Sequence, residues 1–434
     1  MLQILNYIRI HLEKSALGKR FYQGIAWSVV GSVVGQGINL ITMLFVARNL
    51  GKEYYGQLVL LQTTLNMLGT FAGLGIGSTA TRYVAAFKNT NKERLGNILG
   101  LCEKSIILFG LLIALTIAFF SMEIAKYILK SPSLSMPIAL SAIGVLFATL
   151  DGYQKSVLIG FESMRSYAIS SVLGAALGMP LLIGAAVIYE LNGAACALAV
   201  SALIQAGISR IYTKRENKEY GIKPTGMRCN IKEWMVLRDF ALPALLGGIA
   251  VPLAHWICQT MLANGSNGFE ELALLSIAMQ WFSAVLLLPM VAAKVVVPML
   301  TDYVTSGNHS DSKKILVMAT KANALVALSI ATIVSLLAPW IISLYGMEFK
   351  QGSIVLVIAV FTSALLSVQS AVGNIVIAEG KMWLGFLMNI GWAAAYIILA
   401  FFLIKHGAIG VIISMMAAYL IHSIWIYKYA RRTM

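Results

Sequence analysis

Stretches of about 20 predominantly apolar residues follow one another along this chain, each long enough to cross ~30 Å of hydrocarbon as a helix. A water-soluble protein carries roughly a quarter of its residues as charges. Here 59% of the 434 residues are hydrophobic and 12% are charged. Strands of a transmembrane barrel would alternate polar and apolar residues over ~10 positions, and these runs do neither. The pattern predicts an all-α polytopic membrane protein with twelve spans. They lie near 22–48, 56–87, 97–121, 136–160, 166–189, 194–213, 239–263, 270–301, 315–345, 352–378, 383–404 and 407–428.

The formal net charge of +15 sits in short loops beside those spans, where membrane topology requires it, so nucleic acid is not the expected partner. Of the 33 Lys and Arg residues, 24 fall on the side of the termini, six on the other side and three within spans. The positive-inside rule then places both termini in the cytoplasm of a multi-pass inner-membrane protein. The first 20 residues carry four cations, and the span after them is too long for a signal-peptide core, so no cleavable signal is expected. Cys102, Cys196, Cys229 and Cys258 lack paired or metal-like spacing and read as free thiols.

The longest hydrophilic stretch, 214–238, divides the chain into two sets of six spans. The expected organisation is a cytoplasmic segment 1–21, an N-lobe 22–213, a basic connector 214–238, a C-lobe 239–428 and a tail 429–434. "RYVAAFKNTNKERLGNIL" at 82–99 weakly parallels "MLTDYVTSGNHSDSKKIL" at 299–316. An even number of spans per half makes such a repeat parallel.

Enzyme signals are absent. Five histidines (His11, His255, His309, His406, His422) are scattered without ligand spacing. The "GLGIG" run at Gly73, Gly75 and Gly77 lies within an apolar helix and follows no strand, so it is no dinucleotide fingerprint. The external loops "SPSLS", "YELNG", "ANGSNGFEE", "YGMEFKQG" and "KHG" are too short to house a glycan-polymerising site. No cofactor is implied beyond a coupling H+ or Na+.

Small residues four apart, Gly31 with Gly35 and Gly174 with Gly178, let helices approach closely. Pro180, Pro243 and Pro252 allow bending, so the choice is between ordinary packing and flexing of spans 1 and 7. Charges inside a membrane are costly and so are candidate sites. Arg82, Lys104, Lys155, Lys294 and Lys321 lie within about two turns of a cytoplasmic helix end, roughly 8–12 Å deep. Facing inward, they form a basic vestibule for a phosphate or pyrophosphate; facing outward, they snorkel to the interface. Three acidic positions, Glu103, Asp151 and Asp239, and one mid-membrane histidine could couple transport to an ion gradient. Glu103 adjoins Lys104, and Asp151 precedes Lys155 by four residues, so both carboxylates read first as neutralised pairs. Asp239 reads as a helix-start residue, and His255, beside Trp256, has no obvious partner in sequence.

The stretch "FVARNLGKEYYGQLVLLQTTLNMLGTFAGLGIGSTATRYVA" (45–85) resembles bacterial polysaccharide-export proteins. It is most similar to O-antigen flippases of the Wzx type, within the superfamily of multidrug and oligosaccharidyl-lipid exporters. The specific elements are the "AR-x-LG-x-x-x-(Y/F)G" turn at Ala47–Gly56 and the "GLGIGSTATRY" end of span 2. The resemblance implies two six-helix lobes around a central cationic cavity, as in multidrug members. It also implies an undecaprenyl-pyrophosphate-linked oligosaccharide as substrate, with Arg82 and Lys294 as headgroup contacts and Arg48 in the family turn. Membrane lipids, an O-antigen polymerase and a chain-length regulator are the implied partners. Span 1 lacks both the carboxylate usual in multidrug members and the charged signature of peptidoglycan-precursor flippases, which favours the O-antigen branch. The competing readings are a cation-coupled multidrug exporter and a non-transporting scaffold for glycan polymerisation.

Overall fold

The computed structural model describes residues 16–73, 75–224, 242–305, 309–379 and 381–433, except for a few side chains within helices. The expectations for residues 1–15, Cys229 and Asp239 lie outside the described residues. Helices account for nearly all of the rest. In chain order they are α1 (Ala16–Gly73), α2 (Ile76–Phe87), α3 (Lys92–Phe119), α4 (Ser135–Ser141), α5 (Ile143–Gly160) and α6 (Met164–Glu219). Then come α7 (Leu242–Ala263), α8 (Gly268–Thr305), α9 (His309–Leu336), α10 (Ala338–Tyr345), α11 (Gly352–Ala378), α12 (Met382–Leu403) and α13 (Gly407–Thr433).

Three continuous apolar segments, Ala26–Gly73, Met164–Glu219 and Trp383–Arg431, run 48, 56 and 49 residues. At 1.5 Å per residue each exceeds twice the ~30 Å of a hydrocarbon core and therefore makes two crossings. Counting these twice, the bent α4–α5 pair once, and α3, α8, α9 and α11 once each, the described residues give eleven crossings, and α7, whose apolar part Gly248–Ala263 is shorter, stands where the twelfth is expected. The five predicted polar turns all interrupt helix: at 131–134, at Tyr189 and Glu190, at 264–267, at 346–351 and at 404–406.

Several breaks are sharper than the hydropathy pattern suggested. Spans 1 and 2 are separated by Gly51 alone, whose φ of 73° and ψ of 172° are open in practice only to glycine. Span 2 is not one helix. α1 ends at Gly73 and Gly75 adopts φ 66° ahead of α2, so the "GLGIG" segment is not the helix interior expected. Within the first turn of α2 the Ser78 hydroxyl donates to the Gly75 carbonyl at 2.8 Å. Span 4 bends by 46° between α4 and α5. Span 9 breaks at Leu337, where Pro339 in the first turn of α10 cannot continue a preceding helix. The basic connector begins later than expected, because α6 stays helical through Lys214–Glu219.

The chain divides into two compact units. The first takes the described residues up to Leu50 and from Leu61 to Gly248; the second takes Gly51–Leu60 and those from Ile249 onward. In the first unit, α2, α3 and α5 pack around Ile76, Val84, Leu95, Leu99, Tyr153 and Val157. The Tyr153 hydroxyl donates to the Leu99 carbonyl at 2.9 Å, so even this buried phenol is satisfied. Asn91 caps α3 by accepting from the Arg94 amide at 3.0 Å. Gly31 lies against Ala168, Gly174 against Gln205 and Gly178 against Ser201, which is helix packing; a side chain at Gly35 would meet open space. Outward, α3 shows Leu108, Leu112, Leu115 and Phe119, the last 81% exposed. That spacing of four, three and four is one helix face, and its apolar exposure marks a face built for lipid.

In the second unit, Tyr55 is fully buried and accepts a 2.6 Å hydrogen bond from the Gln280 amide of α8. Lys52 pairs with Glu270 at 3.3 Å. A Cβ on Gly56 would collide with the Phe269 backbone carbonyl. The motif turn is therefore explained residue by residue: Gly51 breaks the helix, and Tyr55 and Gly56 dock the first turns of span 2 onto α8. Near the other end of this unit, Leu300, Leu316, Ile375, Val376 and Ala430 form a small core.

Candidate functional site: a polar seam and cavity in the first unit

A polar constellation lies where α5 packs on the second half of α6. On α6, Gln205, Ser209, Thr213 and Glu216 recur at spacings of four, four and three, which puts them on one helix face. On α5, Asp151 and Lys155 are one turn apart and pair at 2.7 Å. Ser209 donates to the other Asp151 oxygen at 2.6 Å, and the Lys155 ammonium also reaches Gln205 Oε1 at 3.3 Å. Farther along, Thr213 donates to the Gln154 carbonyl at 3.4 Å. The Glu216 carboxylate accepts from Ser163 at 2.7 Å and Ser166 at 2.8 Å. Asp151 is 8% exposed, and burial at that level is offset by partners: one oxygen meets the Lys155 ammonium and the other accepts from the Ser209 hydroxyl.

Beside this seam opens a cavity of about 430 Å3, within the range of ordinary small-ligand sites. Its polar wall comes from Gln62, Asn66, Thr149, Asp151, Ser201 and Gln205. The Ser201 hydroxyl is buried without a hydrogen-bond partner. Amides and hydroxyls that can both donate and accept suit a ligand rich in hydroxyl groups. The one carboxylate on the wall is already neutralised, so the cavity offers nothing to hold a cationic ligand by charge.

The residues singled out from sequence are distributed unevenly. Asp151 and Lys155 come together as their spacing indicated. Arg48, Arg82 and Lys104 are exposed on α1, α2 and α3, and none of them lines the cavity. The Arg82 guanidinium lies 5.9 Å from the Tyr83 ring. Lys321 is exposed on α9 of the second unit. Lys294 belongs to α8, but its side chain falls outside the described residues. Glu103 pairs with Arg210 of α6 at 3.2 Å, a partner that adjacency to Lys104 could not suggest. His255 stands 5.5 Å from the Trp392 ring and 5.5 Å from the Tyr396 ring, so aromatic faces surround it.

The α6 face escaped sequence reading, although its signal was present in the polar spacing of "QAGISRIYTKRE". So did a polar cluster in the second unit. There His422 of α13 bonds Gln369 of α11, whose oxygen accepts from Ser423 at 3.0 Å. Asn323 donates to the Ser367 carbonyl at 3.2 Å.

The chain is 23% identical over 409 residues to the EPS I polysaccharide export inner membrane protein EpsE of Ralstonia solanacearum, covering 90% of each. The Ralstonia nicotianae protein of the same name matches at 23% over 406 residues. Among solved structures, a multidrug resistance MATE family transporter of the MOP superfamily, in an inward-facing conformation, superposes with a TM-score of 0.76 at 14% identity. That match covers 94% of this chain and 98% of the transporter. A MOP superfamily transporter from Pyrococcus furiosus, described as having a binding pocket of reversed polarity, gives 0.69 at 14% identity, covering 94% and 96%. The chain thus shares the multi-helical membrane fold of these proteins. A family model described as "Polysaccharide biosynthesis protein" matches residues 21–304, and by that match the chain belongs to the polysaccharide biosynthesis protein family.

Proposed function

We propose that this protein is a flippase. It carries an undecaprenyl-pyrophosphate-linked O-antigen or related repeat unit across the bacterial inner membrane by alternating access, from the cytoplasmic to the periplasmic leaflet. Family membership, export proteins among the relatives and a transporter fold support the general class. One observation favours a glycan over a cationic drug. The cavity wall is amide- and hydroxyl-rich, and its only carboxylate is already occupied by Lys155 and Ser209.

In this reading the cation-rich helix ends face the cytoplasm, and Arg82 and Lys294 meet the pyrophosphate as the substrate enters. The seam around Asp151, Lys155 and Gln205 meets sugar hydroxyls. If H+ or Na+ drives the cycle, Asp151 and Glu103 are poor carriers, because each already holds a cation of the protein. His255 is then the group to test for proton coupling. An O-antigen polymerase and a chain-length regulator would act on the product once it is across.

The experiment is the leaflet distribution of lipid-linked oligosaccharide in a deletion strain complemented with this gene. Precursor should accumulate on the cytoplasmic face without the protein and reach the periplasmic face with it. Arg82→Ala combined with Lys294→Ala should restore the accumulation at native expression level. An unchanged distribution with altered drug susceptibility would assign the protein to drug export instead.

A further inference from the structure

A second cavity, of about 460 Å3, lies at the lysine-rich end of the first unit, among α3, α5, α6 and the chain just beyond α6. It is separate in its lining from the one beside Ser201. Its position follows from local structure. Tyr220 stacks on Phe161 at 4.8 Å between ring centroids, and Gly221 turns the chain with φ 69°. Ile222, 3% exposed, then plugs into the core, and the Lys223 backbone lies over Gly96 of α3, where a Cβ would collide with it. The turn leaves the Lys223 side chain at the rim.

Charge on the wall is one-sided. Arg210, Lys214, Lys218 and Lys223 all line the cavity, against one carboxylate, Glu103, which Arg210 already pairs. Lys214, Lys218 and Lys223 are exposed and make no ion pair among the described residues. The walls also include Gln154 and Asn217, 4% and 8% exposed, whose side-chain oxygens have no hydrogen-bond partner. Unpaired cations call for a phosphate, and unpaired amide oxygens call for hydroxyl donors beside it.

The neighbouring surface says what carries that phosphate. From Glu103 toward the middle of α3, Ile107 and Leu111 are exposed on the same side; from Arg210 back along α6, so is Leu203. Ile211, next to Arg210, is 67% exposed. An apolar surface rising into the bilayer from a basic cleft matches a lipid, tails along the helices and headgroup in the cleft.

We propose that this cleft is a binding site for an anionic phospholipid whose headgroup couples a phosphate to hydroxyls, as in phosphatidylglycerol. A free glycosyl phosphate shares the headgroup chemistry but has no use for the apolar surface. The site is independent of the flippase reading, because it uses neither the cavity beside Ser201 nor Arg82 and Lys294.

The test uses the full chain purified and reconstituted in nanodiscs, with lipid retention read by native mass spectrometry and affinity by titration with phosphatidylglycerol. Phosphatidylglycerol should be retained over phosphatidylcholine. The triple variant Lys214→Ala/Lys218→Ala/Lys223→Ala should weaken binding about hundredfold, about 1 kcal/mol per lysine at 1.4 kcal/mol per decade. The equally charged control Lys313→Ala/Lys405→Ala/Lys428→Ala removes three exposed lysines elsewhere and should bind as the parent does. Equal retention of the two lipids, or equal loss in the two triple variants, would overturn the proposal. Displacement of the lipid by millimolar glucose 1-phosphate would overturn it in favour of a soluble phosphorylated sugar.

Discussion

The Asp151–Lys155 pair supports a sharp prediction, because its two ends are buried to different degrees. Their charged atoms are 2.7 Å apart, and the side chains are 12% and 19% exposed. Replacing one member of a buried pair costs about 3–5 kcal/mol, mostly from stranding the other charge, and partial exposure argues for the low end. Lys155→Met strands a carboxylate whose remaining polar contact is the Ser209 hydroxyl, so a loss of about 3 kcal/mol is expected. Asp151→Asn strands an ammonium that keeps Gln205 Oε1 and can still reach the new amide oxygen, so about 2 kcal/mol is expected. The double variant strands no charge and should lose about 1 kcal/mol or less.

At about 2–4 °C per kcal/mol for a unit of this size, the two single variants should melt roughly 6–12 °C and 4–8 °C below the parent, and the double only a few degrees below. Thermal unfolding of the purified protein in detergent, monitored by the loss of monodisperse species, measures all four forms. If Lys155→Met melts within about 2 °C of the parent, or if the double variant shows the sum of the two single losses, the charges are not mutually buried as described.

Three further outcomes test other parts of the fold. Gly56→Ala should cost several kcal/mol and appear as lost expression of monodisperse protein, because its Cβ meets the fixed Phe269 backbone; Gly69→Ala, which meets only Val145 at 3.6 Å, is the tolerated control. Glu271→Ala should lower the melting temperature by the equivalent of about 1–2 kcal/mol, since that carboxylate accepts from the Ala408 amide at 2.7 Å at the start of α13. Lys381 is held above its ordinary 10.5 by hydrogen bonds to Tyr429 and Glu379. Its contribution is therefore complete below 10.5 and lost as pH rises through the elevated value, so Lys381→Met should flatten the stability profile only at strongly alkaline pH.

The sequence disclosed what depends on composition and near-neighbour spacing. Runs of apolar residues locate the crossings because hydrocarbon admits nothing else, and Asp151 with Lys155 pairs because residues four apart on a helix touch. It concealed what depends on a single backbone torsion. Gly51 breaks a helix in one residue, and Gly75 takes a left-handed torsion just ahead of α2; a hydropathy average over a window cannot register features so short. Long-range partners were equally hidden. Nothing near Glu103 in sequence indicates Arg210, and nothing in residues 51–60 says that they pack with α8. Side-chain direction was the third loss: Arg82, Lys104, Lys155 and Lys321 were all placed near cytoplasmic helix ends from sequence, yet among these described side chains Lys155 turns inward to a polar seam while Arg82, Lys104 and Lys321 are exposed.

That loss bears on how charge is used in a membrane unit of this kind. A cation facing away from the helix bundle costs little, because a long side chain can reach the headgroup region, so exposure alone spares an Arg or Lys the need for a buried counter-charge. A cation turned inward needs one, and Lys155 is held by both Asp151 and Gln205. The exposed cations therefore stand within reach of a ligand from outside their unit, whereas the inward pair is committed to holding α5 against α6. A substrate phosphate would be drawn to the first kind, and sugar hydroxyls to the amides and hydroxyls beside the second. Under the proposed flippase reading, the exposed cations would meet the pyrophosphate and the neutralised polar cavity the sugar hydroxyls.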